Sequence, residues 1–301
     1  MITDIHIHFC AADRFDELLQ FCAEAGINRA GLVSLPDKKN GNFNSAVQKA
    51  FKSAPEKFIG FGCLDHRRER TEKNGAMQVE ELYNEGFKGL KLLLGKPAAE
   101  DEFKLEMESS YIAGALKAAA NLNMPVLFHI ADPPDHFPKQ PPGTFSRWIE
   151  RGVELFSNFP ETTFITAHLL FLAGGLSNLS RIMETLPNLY LDTAPGRWFY
   201  RPLSENKDAA TNFFNCYADR LLLGSDSIFV SPDITTYPML GIEENNRTIR
   251  RINRFLSAGE HEIIDDPYPG NGGGWLACLN LDKAVIKKIT RTNADRFFKD
   301  A

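Results

Sequence analysis

Four histidines and one aspartate carry the pattern from which chemistry can be read: His6, His8, His129, His168 and Asp226. The first two stand in the run Thr3-Asp4-Ile5-His6-Ile7-His8. Alternate side chains of a strand share a face, so this run predicts Asp4, His6 and His8 on one side and Ile5 and Ile7 on the other. Two imidazoles held together on a rigid element make half a site for a divalent transition metal, because neutral imidazole suits zinc, iron, nickel and copper. Alone, the pair is a weak signal, since a chance surface pair or the remnant of a purification tag has the same pattern. Its meaning depends on whether further ligands arrive at the ends of other strands.

The elements that must position these residues follow from alternating short apolar runs and helical spacing. Strands are predicted near 3–8, 30–35, 58–64, 88–94, 125–131, 163–169, 188–193 and 220–225, and helices near 13–25, 42–53, 76–85, 109–122, 146–157 and 175–185. Strands alternating with helices in this way predict an α/β chain folded as a (β/α)8 TIM barrel, a single domain over 1–301. A C-terminal helical extension near 282–299 follows a helix near 247–257 and a glycine-rich turn at Gly270 to Gly274. Gly26 and Gly86 read as helix C-caps, the proline-crowded stretch Asp132 to Gly143 as a rim or lid segment, and 227–246 as a second long loop. A barrel of this kind builds its active site at the C-terminal ends of its strands. His6, His8, His129, His168 and Asp226 all fall there, although the chain has only 7 histidines.

Composition excludes several other classes. A formal charge of −5 over 301 residues does not advertise nucleic acid or an anionic membrane surface. No apolar run reaches the ~18 residues of a membrane span, and no basic-then-apolar leader is seen, so a cytoplasmic protein is expected. Cys10, Cys22, Cys63, Cys216 and Cys278 are odd in number and never form a C-x-x-C pair, which predicts reduced, partly buried thiols. Cys10 follows the His-x-His strand, as a packed residue or as part of the site lining.

In order, His6-Ile7-His8, Gly86-Phe87-Lys88-Gly89-Leu90-Lys91-Leu92, Pro125-Val126-Leu127-Phe128-His129, Ala167-His168 and Leu223-Gly224-Ser225-Asp226 resemble the amidohydrolase superfamily. The chain is most similar to the amidohydrolase-related branch, amidohydrolase 2, which includes aminocarboxymuconate-semialdehyde decarboxylase and its relatives. The closing Lys287 to Phe298 is similar to that branch's terminal helix. The resemblance implies that His6, His8, His129 and Asp226 bind one divalent metal, zinc first, with manganese, iron or nickel as alternatives. His168 then stands beside the metal as a catalytic histidine or joins it as a ligand. Many relatives carry a histidine and a proline soon after the fourth-strand lysine; this chain has Leu92-Leu93-Leu94-Gly95-Lys96-Pro97, so Lys91 or Lys96 takes that place.

Such a site lowers the pKa of water toward ~7 when zinc is bound. Asp226 is suited to accept the proton and return it to a leaving group, and His168 to polarise a carbonyl. The leading expectation is a metal-dependent hydrolase cleaving a C–N or C–O bond of a small, carboxylated substrate. A nonoxidative decarboxylase on the same scaffold is the alternative, and a non-catalytic ligand-binding barrel the third. Arg197, after the seventh strand, is a candidate carboxylate clamp or a surface arginine stacked on Trp198, and Lys91 a second substrate contact. Asp192 reads as a core hydrogen-bond acceptor or as the partner of a metal histidine. His66 reads as part of a solvated basic loop, and His136 and His261 as loop residues. The expected partner is a small molecule, not nucleic acid or a membrane, and a homodimer is open.

Overall fold

The computed structural model describes residues 2–95, 103–133, 141–234, 237–259, 261–268 and 273–298. Short apolar runs form β1 (Ile2–Phe9), β2 (Ile27–Val33), β3 (Phe58–Cys63), β4 (Gly89–Leu94), β5 (Val126–Ile130), β6 (Phe164–Thr166) and β7 (Leu189–Asp192). The eighth barrel strand comes in two pieces, β8 (Leu221–Leu222) and β9 (Ser227–Phe229). Together they form one parallel sheet with β8 and β9 at its two ends. The ring closes because those ends are consecutive in the chain: Ile5 N donates to Leu223 O at 2.8 Å and Asp226 N to His6 O at 2.9 Å.

Around it lie α1 (Phe15–Ala25), α2 (Asn44–Ser53), α3 (Glu72–Asn84), α4 (Ser110–Asn121), α5 (Thr144–Asn158) and α6 (Leu176–Thr185). They continue with α7 (Tyr200–Glu205), α8 (Lys207–Cys216) and α9 (Ile242–Ser257). Thr71 and Ser109 cap α3 and α4 through their hydroxyls, accepting from Asn74 N and Ile112 N. Gly26 and Gly86 adopt the left-handed conformation expected where a helix hands over to a strand, with φ of 69° and 98°. Among the described residues no helix is long and apolar enough to cross a membrane.

Strand alternation divides the core. Phe128, Ile130, Leu90 and Leu92 face outward into the main apolar cluster under the helices. Ile5, Val33, Ile59, Phe61, Leu127, Ile165 and Leu222 fill the barrel interior, where Ala294 and Phe298 join them. The C-terminal helical stretch Lys283–Phe298 thus plugs the end opposite the strand C-termini. Asn293 fastens it there, donating to Ala218 O at 2.6 Å and Leu221 O at 2.7 Å. A π turn over Lys288–Thr292 interrupts this stretch, and Ile289 O within it accepts Leu223 N at 2.9 Å.

The structure corrects several sequence expectations. The sixth strand stops at Thr166, because His168 to Phe171 wind into a left-handed turn instead of continuing to 169. The eighth strand breaks at 223–226 and resumes inside what reads as loop. In β1 the pairing register shifts between Asp4 and Ile7, a bulge that turns both Ile5 and His6 inward, so Asp4 does not share their face. An antiparallel pair, Ile263–Asp265 with Trp275–Ala277, flanks the glycine-rich turn. Most of that turn, like His136, Lys96 and most of the proline-crowded stretch, lies outside the described residues.

Candidate metal centre

The bulge in β1 brings His6 and His8 to the same side of the barrel mouth, and the break in the eighth strand lifts Asp226 over them. Gly224 permits that approach: a Cβ there would lie 3.0 Å from His6 Cβ and 3.1 Å from the Asp192 carboxylate. Three donor atoms then converge. His6 Nε2 and His8 Nε2 are 3.1 Å apart, His8 Nε2 and Asp226 Oδ1 3.0 Å, and His6 Nε2 and Asp226 Oδ1 3.4 Å. Ligands at the usual zinc distances in a tetrahedron are separated by about 3.3 Å. The donor set and its spacing therefore fit a divalent ion held by His6, His8 and Asp226, the group whose ligand atoms all lie within 4.8 Å of one another among the described residues.

Hydrogen bonds fix the histidines for this purpose. His6 Nδ1 donates to Asp192 Oδ2 at 2.7 Å, which leaves Nε2 as a lone pair facing the mouth. Asp192 is both things its sequence position allows. It is a buried acceptor, taking His168 N at 2.8 Å and Ala194 N at 3.0 Å, and it is the partner of His6. Burial raises its pKa, yet the His6 ring beside it prevails and holds the carboxyl below its ordinary range. Burial pushes the His8 imidazolium down to about 3, so this ring is neutral near pH 7. Asp226 has burial working against its charge too, but the His8 hydrogen bond and the surrounding imidazoles outweigh it and keep the carboxylate ionised.

His168 sits beside the triad on the left-handed turn. Its Nδ1 donates to Ala194 O at 3.0 Å, leaving Nε2 3.9 Å from Asp226 Oδ2. Burial lowers its pKa, so it is neutral and able to accept. His129, on β5, directs Nε2 toward Asp132 Oδ1 at 3.4 Å, with its ring 5.1 Å from that of His168. Lys91 Nζ lies 3.4 Å from His6 Nε2 on the inner face of β4.

Two adjoining cavities of about 300 and 390 Å³ share His129, Pro195, Asp226 and Tyr268. The first continues over Lys91, Leu93, Leu35, Ile228 and Leu240. The second continues over His168, Phe171, Asp132 and Arg197. Arg197 thus lines the site rather than the outer surface. Tyr268 and Asp132 were not among the predicted site residues. Asp132 stands just past a strand end, three positions after His129, and that position is a signal. Tyr268 comes from the segment after α9, where nothing local marks it. His66 is buried against Phe103 and Tyr111 rather than solvated, and His261 is exposed. Cys10 packs with Leu35, Phe43, Ile228 and Val230. All five cysteines are free, and Cys216 is exposed rather than buried.

Barrel, strand-end imidazoles and carboxylate together define a barrel enzyme with its site at the mouth. The chain belongs to the amidohydrolase family: the amidohydrolase 2 family model matches residues 4–299. It is an enzyme of the amidohydrolase type. No curated protein sequence matches it. Among solved structures it is similar to an uncharacterised TIM-barrel protein of Bordetella bronchiseptica, with TM-score 0.66 and 16% identity over 99% of this chain and 98% of that one. It is also similar to a probable 2-pyrone-4,6-dicarboxylic acid hydrolase of Acinetobacter baumannii with citric acid bound (TM-score 0.57, 14% identity, 99% of each chain). A third is 5-carboxyvanillate decarboxylase of Novosphingobium aromaticivorans, complexed with manganese and a nitrobenzoic acid (TM-score 0.56, 15% identity, 94% of this chain and 79% of that one).

Proposed function

We propose that this chain is a metal-dependent hydrolase that cleaves a C–N or C–O bond of a small, carboxylated substrate. The observation that carries this reading is the triangle of His6 Nε2, His8 Nε2 and Asp226 Oδ1, with sides of 3.0 to 3.4 Å. These three would hold one divalent ion, with His129 as the fourth donor. Zinc suits the nitrogen and oxygen set, and manganese is the ion named with the decarboxylase of similar fold. Bound there, such an ion supplies Lewis-acid polarisation of a substrate oxygen and a water of lowered pKa.

The chain's own groups do the rest. Asp226 engages the triad through Oδ1 and keeps Oδ2 free on the His168 side, placed to take a proton from the attacking water and give it to the leaving group. His168, neutral and oriented by Ala194 O, donates or accepts at the substrate oxygen. Arg197 in the second cavity pairs with the substrate carboxylate, and Lys91 meets the opposite end of the molecule. Metal analysis of protein purified without a histidine tag tests the reading. About one equivalent is expected, lost in the double variant His6→Ala, His8→Ala; a fully active metal-free enzyme, or undiminished metal in that variant, overturns it.

Decarboxylation is the second reading, favoured by the apolar wall of Leu35, Leu93, Ile228 and Leu240. That wall suits an unsaturated or aromatic ring, to whose carbon Asp226 would deliver the proton. Carbon dioxide release against amine or acid release across a panel of cyclic and unsaturated acids separates the two.

A further inference from the structure

Between Leu222 and Ser227 the eighth strand leaves its ladder, and the N–H groups of the break need other acceptors. Leu223 N finds Ile289 O, and Asp226 N finds His6 O, each at 2.9 Å. Ser225 N is taken by Asp4 Oδ1 at 3.1 Å. Strand β1 has the complementary problem. Its register shift between Asp4 and Ile7 turns Ile5 and His6 inward together and leaves His6 N in need of an acceptor. The same oxygen, Asp4 Oδ1, accepts that N–H at 3.0 Å. Asp4 is fully buried, pairs in register with outward-facing Ala30, and has no partner for Oδ2 among the described residues.

We propose that Asp4 is a positioning residue of the metal centre, a single carboxylate oxygen that clips the bulge of β1 to the break in the eighth strand and so sets the separation of His6 from Asp226. This rests on the metal-binding reading above. Each irregularity exists to aim one donor: the bulge turns His6 inward, and the break raises Asp226. Either could relax independently if its freed N–H were satisfied by water or by a local turn. A shared anionic acceptor makes them move together, because a carboxylate oxygen accepts two N–H groups at once and binds them more strongly than a neutral oxygen does. Asp4 faces away from the imidazoles, so it acts on the metal through the two segments it holds, at His6 and at Ser225.

The test is zinc affinity, measured by competition with a chromophoric chelator on metal-stripped protein, together with amide hydrogen exchange at His6 and Ser225. Asp4→Ala, folded by circular dichroism, is expected to bind zinc about 10- to 100-fold more weakly, with both amides exchanging faster. Asp4→Asn, whose amide oxygen can still accept twice, is expected to keep both amides protected and to bind zinc within about threefold of wild type. Zinc affinity within twofold of wild type in Asp4→Ala overturns the inference even if the melting temperature falls, since that outcome describes a purely structural residue. Where Asp4→Ala does not fold, Asp4→Asn decides: wild-type affinity with both amides unprotected, or a tenfold loss with both protected, overturns the clip. Equal zinc binding by wild type and His6→Ala removes the metal-centre reading and the inference with it. Loss in His6→Ala without loss in Asp4→Ala removes the inference alone.

Discussion

One layer of the barrel interior is packed with Ile5, Val33, Ile59, Phe61, Leu127, Ile165 and Leu222. Nearer the mouth, β1, β4, β5 and β7 bury His6, Lys91, His129 and Asp192. On β5 the change takes two residues, Leu127 to His129, one period of the pleat. The lower layer is held by removal of apolar surface from water and is closed by Phe298. The upper layer gains nothing from that effect, and its stability depends on every polar group finding a partner. Asp192, with three hydrogen bonds to His6, His168 and Ala194, shows how that is met.

The backbone shows the same contrast. On the closed side, where helices return to strands, left-handed positions fall to Gly26, Gly86 and Asn123, residues that adopt them at little cost. At the mouth the same conformation is taken by Ala131, by Asp226 and by the four consecutive residues His168 to Phe171. Left-handed geometry costs an ordinary side chain about 1–2 kcal/mol per residue. Strain of that kind persists where surroundings over-determine it, and such places cluster at functional sites. Here it aims His168 and Asp226 at one another.

The contrast predicts that the two layers fail differently. Replacing His6 and His8 together by alanine is expected to lower turnover by about a thousandfold or more, since Lewis-acid stabilisation is worth several kcal/mol. The metal-free double variant should lose only about 1–3 kcal/mol of stability relative to metal-free wild type, because Asp192 loses its His6 partner but keeps His168 N and Ala194 N. Loss of folding comparable to loss of activity would show that the upper layer is structural. Leu127→Ala inverts the pattern: a destabilisation of about 2–5 kcal/mol in denaturant unfolding, with metal content and turnover per folded molecule retained. A metal loss in Leu127→Ala would mean that the layers are coupled rather than stacked.

How far each layer was legible in the sequence follows from how local its causes are. Eight strands, most of the helices and the mouth position of His6, His8, His129, His168 and Asp226 follow from periodicity and from the rule that barrel sites lie at strand C-termini. The side of Asp4 was not legible, because a bulge is decided by pairing with β2 and by the distant Ser225. The end of the sixth strand was hidden for a similar reason: nothing in Thr-Phe-Ile-Thr-Ala-His-Leu breaks a strand pattern, and it turns at His168 under the hold of Asp192, 24 residues away. Tyr268 reaches the site through a tertiary connection after α9 that carries no local pattern. The spacing of His129 from Asp132 gives a usable rule, that a polar residue just past a strand end belongs to the mouth as much as one on the strand.

His66 sharpens the comparison, because it is a buried imidazole away from the triad, where burial outweighs the neighbouring Asp65 carboxylate. Burial among Phe103 and Tyr111 pushes its pKa down to about 4 from 6.5. The unfolded chain takes up a proton below pH 6.5 that the folded chain refuses until about pH 4. Stability from this group is therefore complete above 6.5 and drains as pH falls toward 4, by about 3 kcal/mol in all. His66→Gln should flatten that part of the stability profile in urea unfolding between pH 7 and 4. A slope unchanged by the substitution would place the acid sensitivity in the triad instead.

Arg197 offers the mildest disturbance, at the edge of the upper layer where the site meets solvent. It lines the cavity beside His168, Asp132 and Asp226. A guanidinium pairing with a substrate carboxylate contributes about 1.5–3 kcal/mol through charge-assisted hydrogen bonds. Arg197→Ala should therefore raise KM by roughly ten- to a hundredfold while leaving zinc affinity at the wild-type value. Arg197→Lys should recover only part of the loss, because a point charge cannot reproduce the planar fork. An unchanged KM for carboxylated substrates, or a fall in kcat with KM constant, would move Arg197 out of substrate binding. The carboxylate would then have to be met from the Lys91 side of the mouth.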